Sequence, residues 1–217
     1  MRGIPKMGLW LALIGLLLAA CSASSPPAPM STPALAATAA EAAPSPLPGL
    51  AVSPASGACR LGPTPSQTEG PYYTAGSPER TNLVEAGTVG TPLLVTGVVL
   101  NADCVPLSGA RVDFWQADGA GEYDNAGFQL RGHQFTDELG RYQLETVIPG
   151  VYPGRSPHIH VKVFANDGRE ILTTQLYLTG ISDQIADAIF DAALLAQDEA
   201  PDADGHRHVS FNFVVVE

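Results

Sequence analysis

Short runs of β-branched and aromatic residues recur from about Cys59 to the C-terminus, and turn-forming pairs such as Asp118-Gly119 and Pro149-Gly150 separate them. Gly and Pro supply the backbone conformations that tight turns need. This spacing is typical of a sandwich or barrel of antiparallel strands. We therefore predict an all-β fold, an antiparallel β-sandwich, with strands over residues 93–100, 110–116, 141–147, 158–165, 171–178 and 208–216.

Residues 181–196 depart from this pattern. Apolar residues recur there at intervals of three and four, namely Ile181, Ile185, Ile189, Ala192 and Leu195. Ser182 supplies a helix start signal, and the opposite side carries Asp183, Asp187 and Asp191. Such a pattern indicates one short amphipathic helix near the C-terminus, covering the sheet with its acidic side in water.

The charge balance excludes one large class of partners. The chain has 217 residues, enough for one domain with its own core, and its 11 Lys and Arg face 22 Asp and Glu, a formal net charge of -11. Nucleic-acid binding needs clustered basic side chains to contact phosphates. We therefore expect no nucleic acid as a partner.

The first 20 residues have the layout of a secretory signal. Arg2 and Lys6 precede an apolar run over residues 9–20, which is too short to span a bilayer comfortably. The run ends in LAAC at residues 18–21, which resembles the lipobox of bacterial lipoproteins, where the Cys is acylated. We expect export to the bacterial cell envelope and a lipid anchor on Cys21 as the only membrane contact. An ordinary signal peptide that ends near a Cys is the alternative.

Residues 21–57 are almost entirely Ala, Pro, Ser, Thr and Gly, a composition with few large side chains to bury. We expect a disordered tether over residues 21–57 and one folded domain over residues 58–217. Cys59 and Cys104 lie in that domain. Because an exported chain meets an oxidising environment, we predict a disulfide between them. Two free thiols are the alternative.

A strand with two histidines on one face is the first candidate for chemistry. Side chains alternate along a strand, so His158 and His160 share one face while Ile159 enters the apolar layer. Such a pair can hold a metal ion, although two exposed histidines give the same pattern. Tyr152, six residues before His158, and Tyr123, in a Gly-rich loop, favour the metal interpretation. Each tyrosine also fits a half-buried turn residue.

Six motifs then occur in order: TEGPYY at 68–73, VDFWQAD at 112–118, GEY at 121–123, PGVY at 149–152, Arg155 with HIH at 158–160, and TQLY at 174–177. In these motifs the sequence resembles the intradiol ring-cleavage dioxygenases, the family of protocatechuate 3,4-dioxygenase and of the catechol and hydroxyquinol dioxygenases. Members of this family bind one non-haem Fe(III) through two Tyr and two His. The resemblance implies the ligand set Tyr123, Tyr152, His158 and His160.

The resemblance also implies an activity, in which O2 and a catechol-type aromatic compound give a cis,cis-muconate-type dicarboxylate. Tyr152 would leave the metal and take a substrate proton, and Arg155 would stabilise negative charge. Substrate contacts would come from Gln175, Arg155 and Tyr72. Only two residues separate Tyr152 from Arg155, fewer than in protocatechuate dioxygenase. We therefore expect an open pocket and broad specificity, and we leave a homo-oligomer open.

Phenolate chemistry is consistent with this metal. Phenolate is a hard anionic donor that favours trivalent iron over zinc, and two phenolates with one hydroxide balance three positive charges in a buried site. Trp115 is expected to pack in the sandwich core.

Two other functions are considered for this sequence. One is a tethered β-sandwich that binds sugar or peptide without catalysis, and the other is a zinc hydrolase that uses the His pair. The hydrolase lacks the further His or carboxylate that such sites use.

Overall fold

The structure, a computed structural model, describes residues 62–216 and is built from nine β-strands in that range. The strands are β1 Pro92–Asn101, β2 Arg111–Trp115, β3 Arg131–Phe135, β4 Arg141–Val147, β5 His158–Phe164, β6 Glu170–Leu178, β7 Leu195–Asp198, β8 Arg207–Ser210 and β9 Phe213–Val215. The predicted all-β class is confirmed. The last predicted strand is divided between β8 and β9, and β3 and β7 were not predicted.

The strands follow the path β3-β2-β5-β6-β7-β8-β1-β4, and β9 pairs with β1. Antiparallel pairs join β3 to β2, β2 to β5 and β5 to β6. Strands β1 and β4 are also antiparallel. By contrast, β6 and β7 are parallel, and β1 is parallel to both β8 and β9. The sheet is therefore mixed, not purely antiparallel as predicted. Residues 179–194 form the long crossover that a parallel β6–β7 pair requires.

The apolar core lies between the two halves of this folded sheet. Val112 and Phe114 of β2 and Ile159 and Val161 of β5 are at most 1% exposed and belong to the same buried cluster as Leu144 of β4. Each such buried side chain stabilises the fold by about 1.5–3 kcal/mol. Because side chains alternate, the opposite face of β2 and β5 is left for polar groups.

The helix predicted over residues 181–196 does not form. The segment contains two short 3-10 turns, Ser182–Gln184 and Ala192–Leu194, and between them Ile185 has an extended backbone. The Asp187 and Asp191 side chains accept hydrogen bonds from backbone N–H groups two residues further on, at 3.1 and 2.9 Å. Such local bonds compete with the helical hydrogen-bond pattern. The acidic residues therefore break the periodicity that the apolar residues suggested.

The chain before β1 crosses the polar face of the sheet. Gln67 N donates to the Thr173 carbonyl at 2.9 Å, and Gln175 Nε2 donates to the Thr68 carbonyl at 3.0 Å. Further on, Arg80 N donates to the His133 carbonyl of β3 at 2.8 Å. These contacts lay the segment that contains Gly70 and Tyr72 over β5.

Several sequence predictions concern residues outside the described range. The signal peptide, Cys21, the tether and Cys59 all lie there. Cys104 is disulfide-bonded, and its predicted partner is Cys59. None of the helices described in the structure is long and apolar enough to cross a membrane.

Candidate metal centre

The two histidines of β5 lie together on the polar face of the sheet, as predicted. His158 and His160 are each 1% exposed, and their Nε2 atoms are 3.1 Å apart. The Ser156 carbonyl accepts a hydrogen bond from His158 Nδ1 at 2.6 Å. The proton of neutral His158 is therefore on Nδ1, and Nε2 presents a lone pair toward His160.

Burial keeps both imidazoles neutral. It lowers the pKa of His158 to about 4, with the nearby Arg155 charge as a smaller cause. Burial also lowers the pKa of His160 well below its ordinary value, followed by the effects of His158 and Arg155. A metal ion binds neutral imidazole, so this environment keeps the pair in its ligating form at neutral pH.

Tyr152 comes from the turn that precedes β5. Its hydroxyl lies 3.2 Å from His158 Nε2 and accepts a hydrogen bond from Arg155 Nη1 at 3.3 Å. The backbone N–H of Arg155 donates to the Tyr152 carbonyl at 3.0 Å. The short Tyr152–Arg155 spacing thus forms a closed turn that holds both side chains beside the histidines.

Tyr123 reaches the same place from the loop after β2. Its ring centroid lies 5.8 Å from that of Tyr152 and 6.3 Å from that of His160. Gly121 lets the two tyrosine loops touch: at φ +88°, a Cβ there would lie 2.4 Å from the Val151 carbonyl oxygen. A side chain at position 121 would therefore push the loops apart.

The Tyr123 hydroxyl is buried and finds no hydrogen-bond partner within residues 62–216. An unsatisfied buried polar group costs about 1–3 kcal/mol, so it calls for an explanation. Burial, followed by the influence of Tyr152, raises its pKa above the ordinary value. A cation at this point would reverse that tendency and give the oxygen a partner.

Three of the donor atoms, those of His158, His160 and Tyr152, have separations that fit one shared ion. Ligand atoms about 2.1 Å from an ion and at right angles to each other lie about 3.0 Å apart. The measured separations are 3.1 Å from His158 Nε2 to His160 Nε2 and 3.2 Å from His158 Nε2 to the Tyr152 hydroxyl. The buried Tyr123 oxygen, whose ring lies 5.8 Å from that of Tyr152 between centroids, would be the fourth donor. The residues therefore fit a metal ion held by two phenol oxygens and two imidazoles.

Trp115 is buried, as expected of a core residue, but it packs against this centre on the other side of β2 from the main apolar cluster. Its indole stacks on the His160 ring with centroids 4.8 Å apart and planes at 9°. The alternation along β2 explains this position, because Val112 and Phe114 point into the core. Trp115 must then face the opposite side, where His160 is its register partner on β5.

The predicted substrate residues also converge here. Arg155 Nη2 donates a hydrogen bond to the side-chain oxygen of Gln175, which is fully buried on β6. Arg155 Nε forms an ion pair with Asp187 Oδ2 at 3.0 Å. Sequence reasoning placed Asp187 on a solvated helix face and so missed it. One signal was available in the sequence. Residues 181–196 contain three Asp but no Lys or Arg, so any of these carboxylates that became buried would need a basic partner from another segment, such as Arg155.

Tyr72 borders the centre, as the sequence suggested. Its ring stacks on Tyr123 with centroids 4.2 Å apart. Gly70, two residues before Tyr72, lies over the second histidine: its φ is +73°, and a Cβ there would lie 3.3 Å from His160 Cε1. The buried Arg131 guanidinium donates to the backbone carbonyls of both Tyr72 and Asp124. It thereby joins the two chain segments that carry the stacked tyrosines.

Tyr73, the next residue, anchors the same turn from its other side. Its hydroxyl donates to Asp113 Oδ2 at 3.0 Å, and Lys162 Nζ lies 4.9 Å from its ring centroid. Asp113 is 2% exposed and also accepts from Arg111. The polar face of the sheet thus continues beyond the metal centre as a network that holds the turn in place.

Comparison with known proteins decides the family. A model of the dioxygenase family matches residues 68–217. The chain belongs to the intradiol ring-cleavage dioxygenase family. All four predicted ligands and the substrate residues lie within the matched range. These relationships give no support to a sugar- or peptide-binding module without catalysis.

Two curated members of the family illustrate the relationship. This dioxygenase-family chain is 32% identical to catechol 1,2-dioxygenase of Acinetobacter baylyi, over 54% of this chain and 47% of that protein. It is 35% identical to hydroxyquinol 1,2-dioxygenase of Rhizobium sp., over 54% of this chain and 48% of that protein. The chain therefore spans about half the length of these relatives.

A solved structure matches over nearly its whole length. It is the dioxygenase domain of a dioxygenase and carbohydrate-binding protein fusion from the cellulolytic bacterium Streptomyces sp. SirexAA-E, with 51% sequence identity and a TM-score of 0.65. The match covers 71% of this chain and 98% of that domain. The intradiol dioxygenase of Tetranychus urticae is 27% identical, with a TM-score of 0.61. Both matches show that the dioxygenase fold extends through most of this chain.

Proposed function

We propose that this protein uses Fe(III) to cleave a catechol-type ring between its two hydroxyls, with both atoms of O2 entering the product, a cis,cis-muconate-type dicarboxylate. The convergence of the four donor groups carries the proposal. His158 Nε2 lies within 3.2 Å of both His160 Nε2 and the Tyr152 hydroxyl, and the buried Tyr123 hydroxyl is without a partner among the described side chains. Two phenolates favour trivalent iron over zinc.

Ferric iron at this position, when bound, would accept both oxygens of a deprotonated catechol and make its ring reactive toward O2. His158 and His160 would hold the ion, because burial keeps both rings neutral. Tyr123 would remain a ligand, since its buried oxygen makes no hydrogen bond of normal geometry with the described residues. The surrounding Trp115 and Tyr72 rings would keep water from the reacting centre.

Tyr152 is suited to move a proton at its phenol oxygen. Burial raises the pKa of Tyr152 above its ordinary value, although the Arg155 charge opposes the shift. Once displaced from the ion by substrate, this phenolate would therefore take up a catechol proton readily. Arg155 Nη1, 3.3 Å away, would guide the displaced oxygen and keep it near the substrate.

Arg155 and Gln175 would then bind the reacting ring. The guanidinium supplies a fixed positive charge where negative charge develops on the ring oxygen, and a preorganised donor of this kind lowers the barrier. Gln175 holds the guanidinium from the sheet side. Tyr72 would lie against the substrate at the entrance, where its ring is partly exposed.

The range of substrates that the site accepts depends on the turn at its rim, between Tyr152 and Arg155. Only Pro153 and Gly154 separate Tyr152 from Arg155, and Val151 next to them is 51% exposed. A short and open turn places few side chains where they could contact substituents on the ring and exclude them. We therefore propose that catechols with different substituents are accepted.

Oxygen uptake tests the activity directly. Iron-loaded protein should consume O2 with catechol, protocatechuate, hydroxyquinol and chlorinated catechols, and release dicarboxylates that absorb in the ultraviolet. It should be red-brown, because tyrosinate bound to ferric iron absorbs visible light, whereas a zinc protein is colourless. Colourless protein after iron loading, with no oxygen uptake, would refute the proposal. Activity on only one of these compounds would refute the broad specificity alone.

We also propose that the mature chain is exported and held at the cell envelope by an acyl group on Cys21. The support is the signal-like sequence over residues 1–20 and the Ala- and Pro-rich stretch after it. Replacing Cys21 with Ser should shift the protein from the membrane fraction to the soluble one. A membrane-bound Cys21→Ser variant would contradict the proposed anchor.

A further inference from the structure

Asp187 is a buried carboxylate outside the metal centre, and three of its four hydrogen bonds come from the chain just before β5. Its side chain has no exposed surface. Oδ2 accepts hydrogen bonds from Arg155 Nε at 3.0 Å and from both Ser156 N and Ser156 Oγ at 3.1 Å. Oδ1 accepts from Ile189 N at 3.1 Å. Four donors thus hold one carboxylate.

These contacts determine where the Arg155 guanidinium points. A guanidinium is planar and its donors have a fixed fork geometry. With Nε held by Asp187, the remaining nitrogens face the centre, where Nη1 donates to the Tyr152 hydroxyl at 3.3 Å and Nη2 donates to Gln175. Rotation of Arg155 away from Tyr152 would therefore break its ion pair with Asp187.

The charge of Asp187 is maintained in this environment. Burial alone would raise the pKa of its carboxyl, but the Ile189 and Ser156 N–H groups and the Arg155 guanidinium lower it overall. A buried carboxylate of this kind needs a charged partner. Arg155 supplies it, with only 17% of its own side chain exposed. The two residues thus neutralise each other while one face of Arg155 stays available.

We propose that Asp187 is a positioning residue for ring cleavage: it holds Arg155 so that the guanidinium stays beside the Tyr152 oxygen and the bound ring. The inference rests on the proposed function. The crossover between β6 and β7 therefore contributes to turnover through Arg155, without touching substrate or metal. A merely structural residue would affect turnover in any background. The effect of substituting Asp187 on kcat should instead vanish when Arg155 is absent.

A double-mutant cycle tests this role. Asp187→Asn keeps the size of the side chain and removes its charge, and Arg155→Met removes the guanidinium. Asp187→Asn should lower kcat by about 10- to 100-fold, with less change in KM. In the Arg155→Met background the same change should lower kcat by no more than about twofold, because the shared partner is gone. Asp183→Asn, an exposed acid of the same crossover, should leave kcat unchanged.

Iron content and the visible spectrum give a readout besides activity. Both should be the same in the iron-loaded wild type and Asp187→Asn, because the proposed role does not involve the metal ligands. Any of three results would overturn the inference. These are an equal loss of kcat in the wild-type and Arg155→Met backgrounds, an unchanged kcat in Asp187→Asn, or a loss of iron from Asp187→Asn. If Asp187→Asn does not fold, Asp187→Glu keeps the charge, and it should lower kcat in the wild-type background but not in Arg155→Met.

The outcomes also separate this inference from the proposed function. Iron-loaded wild type that consumes no O2 with any catechol would refute the function and the inference together. Active wild type with additive Asp187 and Arg155 effects would refute the inference alone.

Discussion

The indole of Trp115 lies flat against the imidazole of His160, with ring centroids 4.8 Å apart and planes within 9°. Pairing of β2 with β5 places the two residues opposite each other. His160 Nδ1 is buried and forms no hydrogen bond with any described residue, so stacking takes the place of the bond that orients His158. Trp115 therefore controls the plane of the second imidazole.

Removing Trp115 should weaken both the fold and the metal site. Trp115→Ala should lower the free energy of unfolding by about 3–5 kcal/mol, because it leaves a cavity beside the sheet. It should also reduce iron content, whereas Trp115→Phe should retain most of the iron through a smaller stacked ring. Urea unfolding and metal analysis measure the two effects. Phe135→Ala, at a 51% exposed aromatic residue, is the control. Full iron content in Trp115→Ala would contradict the orienting role.

Tyr152 and His158 should respond differently to substitution, although their polar atoms are 3.2 Å apart. Tyr152→Phe should keep iron, because Tyr152 is the ligand that substrate is proposed to displace, but it should slow substrate deprotonation and shift the visible absorption. His158→Ala should lose iron, because it removes a neutral nitrogen ligand from the rigid strand. Metal analysis after identical iron loading compares them. Equal iron occupancy in the two variants would show that the roles are wrongly assigned.

Arg155→Ala should lower turnover more than substrate affinity. The guanidinium is placed to meet charge that develops during the reaction, and loss of such a donor reduces kcat by about 100- to 1,000-fold. A loss shared by kcat and kcat/KM identifies an interaction made only in the transition state. Steady-state oxygen uptake gives both constants, and Arg169→Ala, at an exposed residue, is the control. A higher KM with unchanged kcat would show that Arg155 contributes to substrate binding alone.

The alternation of side chains along strands was enough to find part of this site. It placed His158 and His160 on one face because Ile159 between them is apolar, and β5 confirms this. The same rule applied to β2 would have turned Trp115 away from Val112 and Phe114. We instead expected Trp115 to pack in the sandwich core.

Other parts of the site depend on contacts between residues far apart in the chain. Tyr123 and Tyr152 come from different loops, and no local pattern indicates that the loops touch at Gly121. The sequence singled out both tyrosines beside the histidines, but only the resemblance to the family made them ligands of one ion. Asp187 was hidden for a different reason: the apolar spacing over residues 181–196 favoured a helix, whereas side-chain hydrogen bonds and the ion pair with Arg155 determine the conformation.

Arg131 should be essential for joining the two stacked tyrosines. It is 1% exposed, and it donates to the Asp124 carbonyl at 3.1 and 2.7 Å and to the Tyr72 carbonyl. Leu130 before it has φ 52°, an uncommon conformation that directs the chain into this contact. Arg131→Met should lower the free energy of unfolding by about 3 kcal/mol, because it leaves carbonyls without their donor.

Urea unfolding measures this loss, and Arg141→Met is the matched control. Arg141 forms an exposed ion pair with Asp137, so its substitution should change stability by no more than about 0.5 kcal/mol. Arg131→Lys should not restore the wild type, because one ammonium cannot reproduce the guanidinium fork. An Arg131→Met protein as stable as the control would contradict the joining role.

The metal-free protein should lose stability on acidification through the two buried histidines of β5. The pKa of His158 is lowered from 6.5 to about 4, so between these values the unfolded chain binds more protons than the folded one. Stability from this source is complete above pH 6.5 and is lost as the pH falls toward 4. The loss is about 3 kcal/mol for His158, and the lowered pKa of His160 acts in the same direction. Chemical unfolding of chelator-treated protein at several pH values measures it. Acidic residues titrate in the same pH range, so the control is the His158→Asn variant. Its free energy of unfolding should fall less steeply with decreasing pH than that of the wild type. Parallel curves for the two proteins would show that burial does not keep His158 neutral.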